Sequence, residues 1–267
     1  MTRQFQFYIV PTPIGNIKDI TLRAIEVLKE VDIIACEDSR VTQKLLNHYD
    51  IKTKTISYHK YNEYEKVSVI SDLLKSGKKV ALVSDAGTPL ICDPGSILLQ
   101  ELKKNNIKIT ALPGSCAVST FLSQVPRNGE EYKFIGFLPK TDKQIRDIYS
   151  KNRNDNLVFY DSPNRLVKSL KIIQEISPDV KVAVGRELTK LFEEIVIDSI
   201  ENVINHFSEE IKGEIVVMIF ASNDKENVTI KEKIDILKDR GFKPKDISEI
   251  LSALYDVNKN EIKSILY

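Results

Sequence analysis

The chain has 267 residues, of which 42% are hydrophobic and 29% are charged, and its formal net charge at pH 7 is +1. This composition is ordinary for folded domains and argues against long disordered or low-complexity regions. A net charge so close to zero also argues against a uniformly basic nucleic-acid-binding protein, so an RNA ligand would have to be held by local patches. Two basic segments, 140–153 and 238–245, are candidates for such patches, and a solvated surface is the alternative for each.

The cysteines and the N-terminus give no sign of a metal site or of export. Cys36, Cys92 and Cys116 are odd in number and widely spaced, which predicts reduced thiols in a cytoplasmic protein. No pair of cysteine or histidine residues has ligand spacing, so no metal is expected. Residues 1–10 contain a short apolar run without a cleavage-site pattern, which predicts a buried strand and neither a signal peptide nor a membrane span.

In the N-terminal part, short apolar runs alternate with amphipathic stretches of helical length, a pattern typical of a parallel sheet covered by helices. The predicted strands are Phe7–Val10, Asp32–Ala35, Val80–Ser84 and Ile107–Leu112. The predicted helices are Thr21–Val31, Val41–Tyr49, Ser96–Asn105 and Ser115–Ser123. Residues 33–35 and 80–83 are apolar without alternation, as expected where both faces of a sheet are buried.

A second block follows the turn-rich segment Val125–Gly129, which predicts a linker. Its predicted strands are Phe134–Phe137, Leu157–Tyr160, Val180–Val184, Glu194–Ile197 and Ile215–Phe220, and its one predicted helix is Leu166–Ile176. Because several strand patterns follow one another with few helices between them, a mixed sheet is expected in this block.

From Thr229 onward only helical patterns occur, with Gly241 as a predicted helix end and Pro244 as a predicted helix start. The predicted helices are Ile230–Asp239, Lys245–Tyr255 and Asn260–Leu266. This pattern indicates a small helical appendage that resembles a helix-turn-helix fragment. Three domains are therefore expected, at 1–124, 125–225 and 226–267.

Three loops that directly follow predicted strands are candidates for ligand binding, because open parallel sheets bind ligands at the carboxyl ends of their strands. They are Pro11–Asn16, Asp85–Pro89 with Asp93–Gly95, and Leu112–Ala117. Each combines prolines, which fix the backbone, with a glycine or alanine that permits close approach of a flat ligand, and simple turns are the alternative. The sequence has neither the G-x-G-x-x-G pattern nor the P-loop pattern, which counts against dinucleotide-binding enzymes and P-loop nucleotidases.

Several motifs occur in order along the chain: Pro11–Asn16 with Asp19–Thr21, Glu37–Arg40, Ser57–His59, Ser84–Pro89, Tyr160–Arg165 and Gly185–Lys190. Together they resemble the ribosomal RNA small-subunit methyltransferase I family, over residues 5–221. The departures are small: Pro113–Ala117 reads Pro-Gly-Ser-Cys-Ala where the family usually has Pro-Gly-Pro-Ser-Ala, and Ser39 stands where it often has threonine.

The resemblance implies an α/β fold with two domains of the tetrapyrrole-methylase-like (class III) type and a small helical appendage. It also implies S-adenosylmethionine as the cofactor and the 2′-hydroxyl of a cytidine in the decoding region of small-subunit (16S) ribosomal RNA as the methyl acceptor. Enzymes with this fold usually pair, so a homodimer is expected.

In this resemblance the cofactor lies folded between the two domains. The implied cofactor-binding residues are Pro13, Asp85, Ala86, Gly87, Thr88, Pro113, Gly114, Cys116, Ala117, Tyr160, Gly213 and Glu214. A carboxylate such as Asp85 can attract the sulfonium or the amino group of the methionine moiety, and a helix-cap or turn role is the alternative.

Methyl transfer from a sulfonium needs no metal, so catalysis requires positioning and help in removing the hydroxyl proton. The candidate helpers are Glu187 and Lys190, with His59 as a weaker third, and a simple ion pair is the alternative for the first two. Arg165 and Arg186 are candidates for contacts with RNA phosphates. Two other functions stay open: methylation of a tetrapyrrole-like small molecule by the same fold, and a non-catalytic RNA-binding scaffold.

Overall fold

The computed structural model describes residues 5–127, 131–222, 230–255 and 258–266. The chain forms two compact units, Met1–Ala221 and Ser222–Tyr267. No helix in the described residues is long and apolar enough to cross a bilayer.

The first sheet of the larger unit has five strands, all parallel, in the order β3-β2-β4-β1-β5. These strands are β1 (Phe7–Ile9), β2 (Ile33–Cys36), β3 (Lys54–Ser57), β4 (Val80–Val83) and β5 (Ile109–Ala111). The helices in this part are α1 (Leu22–Glu30), α2 (Ser39–His48), α3 (Glu63–Lys75), α4 (Ser96–Lys104) and α5 (Ala117–Leu122). Hydrophobic clusters lie on both faces of the sheet, which explains why β4 is buried along its whole length.

The second sheet also has five strands, in the order β6-β7-β10-β8-β9, and only the β6–β7 pair is parallel. Its strands are β6 (Lys133–Phe137), β7 (Leu157–Asp161), β8 (Lys181–Arg186), β9 (Glu194–Ser199) and β10 (Ile215–Ile219). The helices are α6 (Asp142–Asn152), α7 (Pro163–Gln174) and α8 (Ile200–His206). The predicted fold class, a parallel sheet followed by a mixed one, is confirmed.

A single hydrophobic cluster joins the two sheets. Helix α5 contributes Val118, Phe121 and Leu122 to this cluster, and the second sheet contributes residues of β7, β8 and β10. At Gly185 an added Cβ would lie 2.6 Å from the ring of Phe121, so the absence of a side chain there allows α5 to approach β8 closely. This packing fixes the position of the loops between the sheets.

The smaller unit contains α9 (Ile230–Asp239), α10 (Pro244–Tyr255) and α11 (Lys259–Leu266). A small core forms between them, and its buried members are Ile234, Ile247, Leu251, Ile262 and Leu266. The three helices agree with the predicted appendage to within one residue at each described end.

The sequence did not predict β3, α3, α6 or α8. Helix α6 lies in segment 140–153, for which a basic patch and a solvated surface had both been left open, and Ile145 and Tyr149 are buried at the i, i+4 spacing of an amphipathic helix. Thr141 begins this helix, because its hydroxyl accepts a hydrogen bond from the N–H of Gln144 at 3.4 Å. The charged residues therefore lie on the solvent side of a helix whose other side is part of the core.

Candidate active site

A cleft of about 410 Å³ is lined by residues of both sheets. Its volume lies in the range of small-molecule sites. The loops that follow β1, β4 and β5 form one wall, and the ends of β6 and β7 with the start of β10 form the other. The cleft therefore lies at the carboxyl ends of parallel strands, where open sheets bind ligands.

Hydrogen bonds between the loops after β1 and β4 shape the first wall. The backbones of Thr12 and Gly87 exchange two hydrogen bonds, of 2.9 and 3.0 Å. The hydroxyl of Thr12 also donates to the carbonyl of Ser84 at 3.0 Å. Gly87 has φ of +78°, a left-handed conformation that glycine adopts without strain, so this turn depends on a residue without a side chain.

The loop after β5 completes this wall. The hydroxyl of Thr88 donates to the carbonyl of Ser115 at 2.9 Å and so connects the loops after β4 and β5. At Gly114 an added Cβ would lie 2.6 Å from the Pro11 ring, so Gly114 allows the first and third loops to contact each other. Of the described residues, Pro113 and Gly114 are not among those that line the cleft.

Most of the cofactor-binding residues predicted from the sequence come together in this cleft. The residues that line it are Asp85, Ala86, Gly87, Thr88, Cys116, Ala117, Tyr160, Gly213 and Glu214. Pro13, which adjoins the lining residue Ile14, and Pro113 and Gly114 lie outside the lining. The three predicted loops thus converge on one site, with the second sheet opposite them.

Three carboxylates line the first wall, and the sequence analysis assigned a role only to Asp85. Burial, together with the charges of Asp85 and Asp93, raises the pKa of Glu37. Burial also raises the pKa of Asp85, although this carboxylate accepts a 3.0 Å hydrogen bond from the N–H of Asp38. The pKa of Asp93 is raised by burial and by Asp85. Crowded, partly buried carboxylates of this kind favour a cationic ligand group, which relieves their repulsion.

The second wall carries aromatic and apolar side chains together with two carboxylates, Asp161 and Glu214. Tyr160 lies between Phe134 and Phe137, with ring centroids 5.2 and 5.4 Å from its own, and burial raises the pKa of its hydroxyl. Asp161, at the end of β7, has a fully buried side chain whose carboxylate accepts a hydrogen bond from the N–H of Ser162 at 2.9 Å. This wall offers flat apolar surface to a ligand.

The predicted helpers Glu187 and Lys190 lie beside the cleft, not in its lining. Oε1 of Glu187 accepts hydrogen bonds from Lys190 Nζ at 2.7 Å and from the N–H of Glu214 at 3.0 Å. Burial opposes the charge of Glu187, but these two hydrogen bonds outweigh it and lower its pKa. For Lys190, hydrogen bonds to Glu187 and Glu214 outweigh burial and raise the pKa. Both side chains are therefore charged at neutral pH and form an ion pair.

The loop that carries this ion pair is under backbone strain. Glu187 and Thr189 have φ of +52° and +64°, values that cost energy for residues with a side chain. The loop contacts the first wall at Gly15, where an added Cβ would lie 2.5 Å from the carbonyl of Leu188. The N–H of Asn16 donates to Thr189 Oγ1 at 3.0 Å. The motifs at 11–16 and 185–190, distant in sequence, thus form one junction between the sheets.

The other predicted residues also lie outside the lining. Arg165 donates to the carbonyls of Leu138 and Pro139 and lies 3.4 Å from the carboxylate of Asp161. Arg186 is ion-paired with Glu194 and donates to the carbonyl of Lys212 at 3.1 Å.

His59 is partly buried, and in the described part of the chain its Nδ1 has no hydrogen-bond partner. A positive charge on His59 lowers the pKa of Glu37. His59 therefore lies near the first wall of the cleft without lining it.

The sequence analysis assigned no role to several lining residues, including Glu37, Asp93, Ile91 and Phe137. Glu37 and Asp93 stand inside segments that had been noted, directly after β2 and shortly after β4. Their position after strands was an available signal. No sequence signal marks Phe137 as a lining residue, because its place depends on how the second sheet faces the first.

These two facing sheets and the cleft between them define a class of methyltransferase. A family model for tetrapyrrole (corrin/porphyrin) methylases matches residues 6–204. A crystal structure of uroporphyrin-III C-methyltransferase from Thermus thermophilus complexed with S-adenyl homocysteine has the same fold. It is 17% identical, its TM-score is 0.57, and the match covers 80% of this chain and 96% of that one.

Closer relatives define the particular family. A protein of Mycoplasmopsis pulmonis named ribosomal RNA small subunit methyltransferase I is 44% identical over 80% of this chain and 97% of its own length. A protein of Streptococcus pyogenes with the same name is 38% identical over 96% of this chain and 92% of its own. The chain belongs to the ribosomal RNA small subunit methyltransferase I family.

Proposed function

We propose that this protein transfers a methyl group from S-adenosylmethionine to the 2′-hydroxyl of a cytidine in the decoding region of small-subunit ribosomal RNA. Family membership supports methylation of ribosomal RNA with this donor. The observation that carries the proposal is the convergence of three loops, distant in sequence, on one cleft. The choice of cytidine and of the ribose oxygen is the finer part of the proposal and needs its own test.

The cleft fits S-adenosylmethionine chemically. Glu37, Asp85 and Asp93 supply negative charge on one wall for the cationic sulfonium and amino groups. Gly87 and Ala86 leave the backbone of the same wall open to close approach. When bound, the donor supplies a methyl group on a positively charged sulfur, which accepts the electron pair of the broken bond. The residues of the cleft have to hold the reacting groups in line and keep water out.

We propose that Glu187 and Lys190 act as positioning residues. Neither lines the cleft, but the side chain of Glu187 binds the N–H of Glu214, and Lys190 Nζ binds the Glu214 carboxylate at 2.9 Å. Glu214 and the adjoining Gly213 both line the cleft. The ion pair therefore fixes a segment that faces the reacting groups, while its lowered and raised pKa values disfavour proton acceptance by either member.

RNA contact by Arg165 and Arg186 stays part of the proposal. Each guanidinium already has protein partners, but both side chains keep part of their surface exposed, 29% and 22%. A phosphate could therefore share these guanidinium groups, each of which has five N–H donors.

The experiment that tests the proposal is methyl transfer in vitro. Purified protein is incubated with labelled S-adenosylmethionine and small ribosomal subunits that lack the modification. We expect label in the small-subunit RNA and none in subunits that already carry the modification. Absence of label in RNA, with S-adenosylmethionine bound normally, would contradict RNA methylation.

A further inference from the structure

Phe137 is an aromatic residue at the cleft that the proposed chemistry does not use. Its side chain is 64% exposed although it lines the cleft, and its ring packs on Tyr160 with centroids 5.4 Å apart. Exposing so large an apolar ring to water is unfavourable. An exposed ring that is supported from behind by a second aromatic ring is a flat surface available to a ligand.

A β-bulge gives Phe137 this position. The register of β6 against β7 shifts between Phe134 and Phe137, and Gly136 has φ of +72°. In a regular strand, residues three apart point to opposite faces. Here Phe134 and Phe137 both pack on the ring of Tyr160. Bulges next to active sites re-aim side chains in this way, and glycine supplies the positive φ that this bulge needs.

The surroundings of Phe137 favour a nucleic-acid ligand. Ile91, 53% exposed, lines the same cleft from the loop after β4. Lys140 and Lys143 are exposed on the segment that follows Phe137. The acidic residue between them, Asp142, is paired with Lys168 at 2.7 Å. The surface next to Phe137 therefore carries positive charge suited to phosphates.

We propose that the base of the RNA nucleotide being methylated stacks on Phe137, with Ile91 as a second apolar contact and Lys140 and Lys143 beside the neighbouring phosphates. This inference rests on the proposed function and adds how the nucleotide is held. Enzymes that do chemistry on a base take the nucleotide out of the stack and hold its base between aromatic or apolar side chains, and the same kind of surface can hold the base of a nucleotide that is methylated on its ribose. Single-stranded RNA is bound by base stacking on aromatic rings in the same way.

The test compares Phe137→Ala, Phe137→Leu and Phe137→Trp with Phe192→Ala as the matched control. Phe192 is also a phenylalanine of the second half and is 68% exposed, but it is not among the described residues that line the cleft. For each protein, methyl transfer to unmodified small subunits gives kcat and KM, and calorimetry gives the affinity for S-adenosylmethionine.

Stacking of a base on an aromatic ring strengthens RNA binding. Loss of the ring in Phe137→Ala should therefore raise the KM for the small subunits about 5- to 150-fold. We expect Phe137→Leu, apolar but not flat, to be impaired as well, and Phe137→Trp to retain function. Cofactor affinity should be unchanged in all of them, and Phe192→Ala should behave like the wild type.

Two results would overturn this inference. Equal KM values in Phe137→Ala and Phe192→Ala would show that no base stacks on Phe137. Weakened S-adenosylmethionine binding in Phe137→Ala would assign the ring to the adenine of the cofactor. Failure of the proposed function is distinguishable from both, because in that case the wild type itself would transfer no methyl group to RNA.

Discussion

Glu187 and Glu214 are joined by two hydrogen bonds of 3.0 Å each. The N–H of Glu187 donates to the carbonyl of Glu214, and the N–H of Glu214 donates to the Glu187 carboxylate. Gly213, next to this pair, has φ of +107°, and an added Cβ there would collide with the Glu187 side chain. The edge of the cleft at 213–214 is therefore shaped by a residue that lies outside the lining.

The first prediction concerns this contact. Glu187→Gln and Lys190→Met should lower turnover by about 10²-fold if the pair holds the 213–214 segment in place, the loss expected when reacting groups are misplaced by about 1 Å. Cofactor affinity should change much less, because neither side chain lines the cleft. Turnover and cofactor affinity are measured on both variants, with Lys212→Met, an exposed neighbour, as control. Near-normal turnover in both variants would mean that the pair is only a local ion pair, which contributes about 1 kcal/mol to the free energy of unfolding.

The second prediction concerns cofactor binding by the loop after β4. Asp85→Asn keeps an acceptor for the N–H of Asp38 but removes the charge, so we expect S-adenosylmethionine affinity to fall about 10- to 100-fold. Gly87→Val should weaken it too, because a β-branched residue does not fit φ of +78°. Calorimetry measures affinity and circular dichroism confirms folding. Unchanged affinity in both folded variants would place the cofactor elsewhere.

The third prediction concerns pH. The raised pKa values of Glu37, Asp85 and Asp93 mean that the ligand-free fold disfavours their ionised forms relative to the unfolded chain. The stability that these groups contribute to the fold is therefore fully present at pH values below their unfolded-state pKa. It is lost as the pH rises through their raised folded-state pKa. A cationic ligand instead needs them ionised, so cofactor affinity should decrease as the pH is lowered from neutral into that range. Asp85→Asn should flatten this dependence, and an affinity independent of pH would contradict it.

The fourth prediction concerns the junction between the sheets. Gly15→Ala should push the 188–190 loop away, because the new Cβ would lie 2.5 to 2.6 Å from Leu188, Thr189 and Lys190 atoms. We expect a loss of turnover and of thermal stability. Gly77→Ala is the control for a purely local backbone effect, since Gly77 has φ of +86° but nothing within 4 Å of an added Cβ, so only a left-handed backbone cost of about 1–2 kcal/mol applies. Unchanged turnover and thermal stability in Gly15→Ala would mean that the junction tolerates the added methyl group.

The fifth prediction is a homodimer, as proposed from the family resemblance. Tyr61 and Tyr64 are 85% and 81% exposed, and aromatic side chains of this kind are enriched at protein–protein interfaces. Light scattering at micromolar concentration should give twice the chain mass of 30.4 kDa. A mass of one chain over that range would refute the dimer.

Most elements with a strong local pattern were predicted from the sequence, although helices α3, α6 and α8 were not. Strand β4 is a continuous apolar run, and the loop after it carries Asp85 and Gly87 in a recognisable motif. Strand β3 was missed because it is short and begins at the exposed Lys54, so it has no apolar run of its own. Its pairing with β2 is what makes it a strand.

The same distinction applies to the cleft. The three loops were predicted from their Pro/Gly content and their position after strands, and the family resemblance implied the individual cofactor-binding residues. Phe137 and Glu37 were not predicted as lining residues, since they line the cleft only when both sheets are in place. The ion pair of Glu187 and Lys190 had been left as an alternative to a catalytic role, and the hydrogen bonds to Glu214 connect it to the cleft.

The measurement that tests the central claim most directly is the chemical position of the transferred methyl group. Subunits that lack the modification are labelled by the purified protein, and their RNA is digested with alkali and analysed by nucleoside. A methyl group on the 2′-oxygen blocks the attack that cleaves the next phosphodiester, so we predict label at a single alkali-resistant site whose nucleoside is 2′-O-methylcytidine. Label recovered as a base-methylated nucleoside, or spread over alkali-sensitive positions, would contradict the 2′-O assignment.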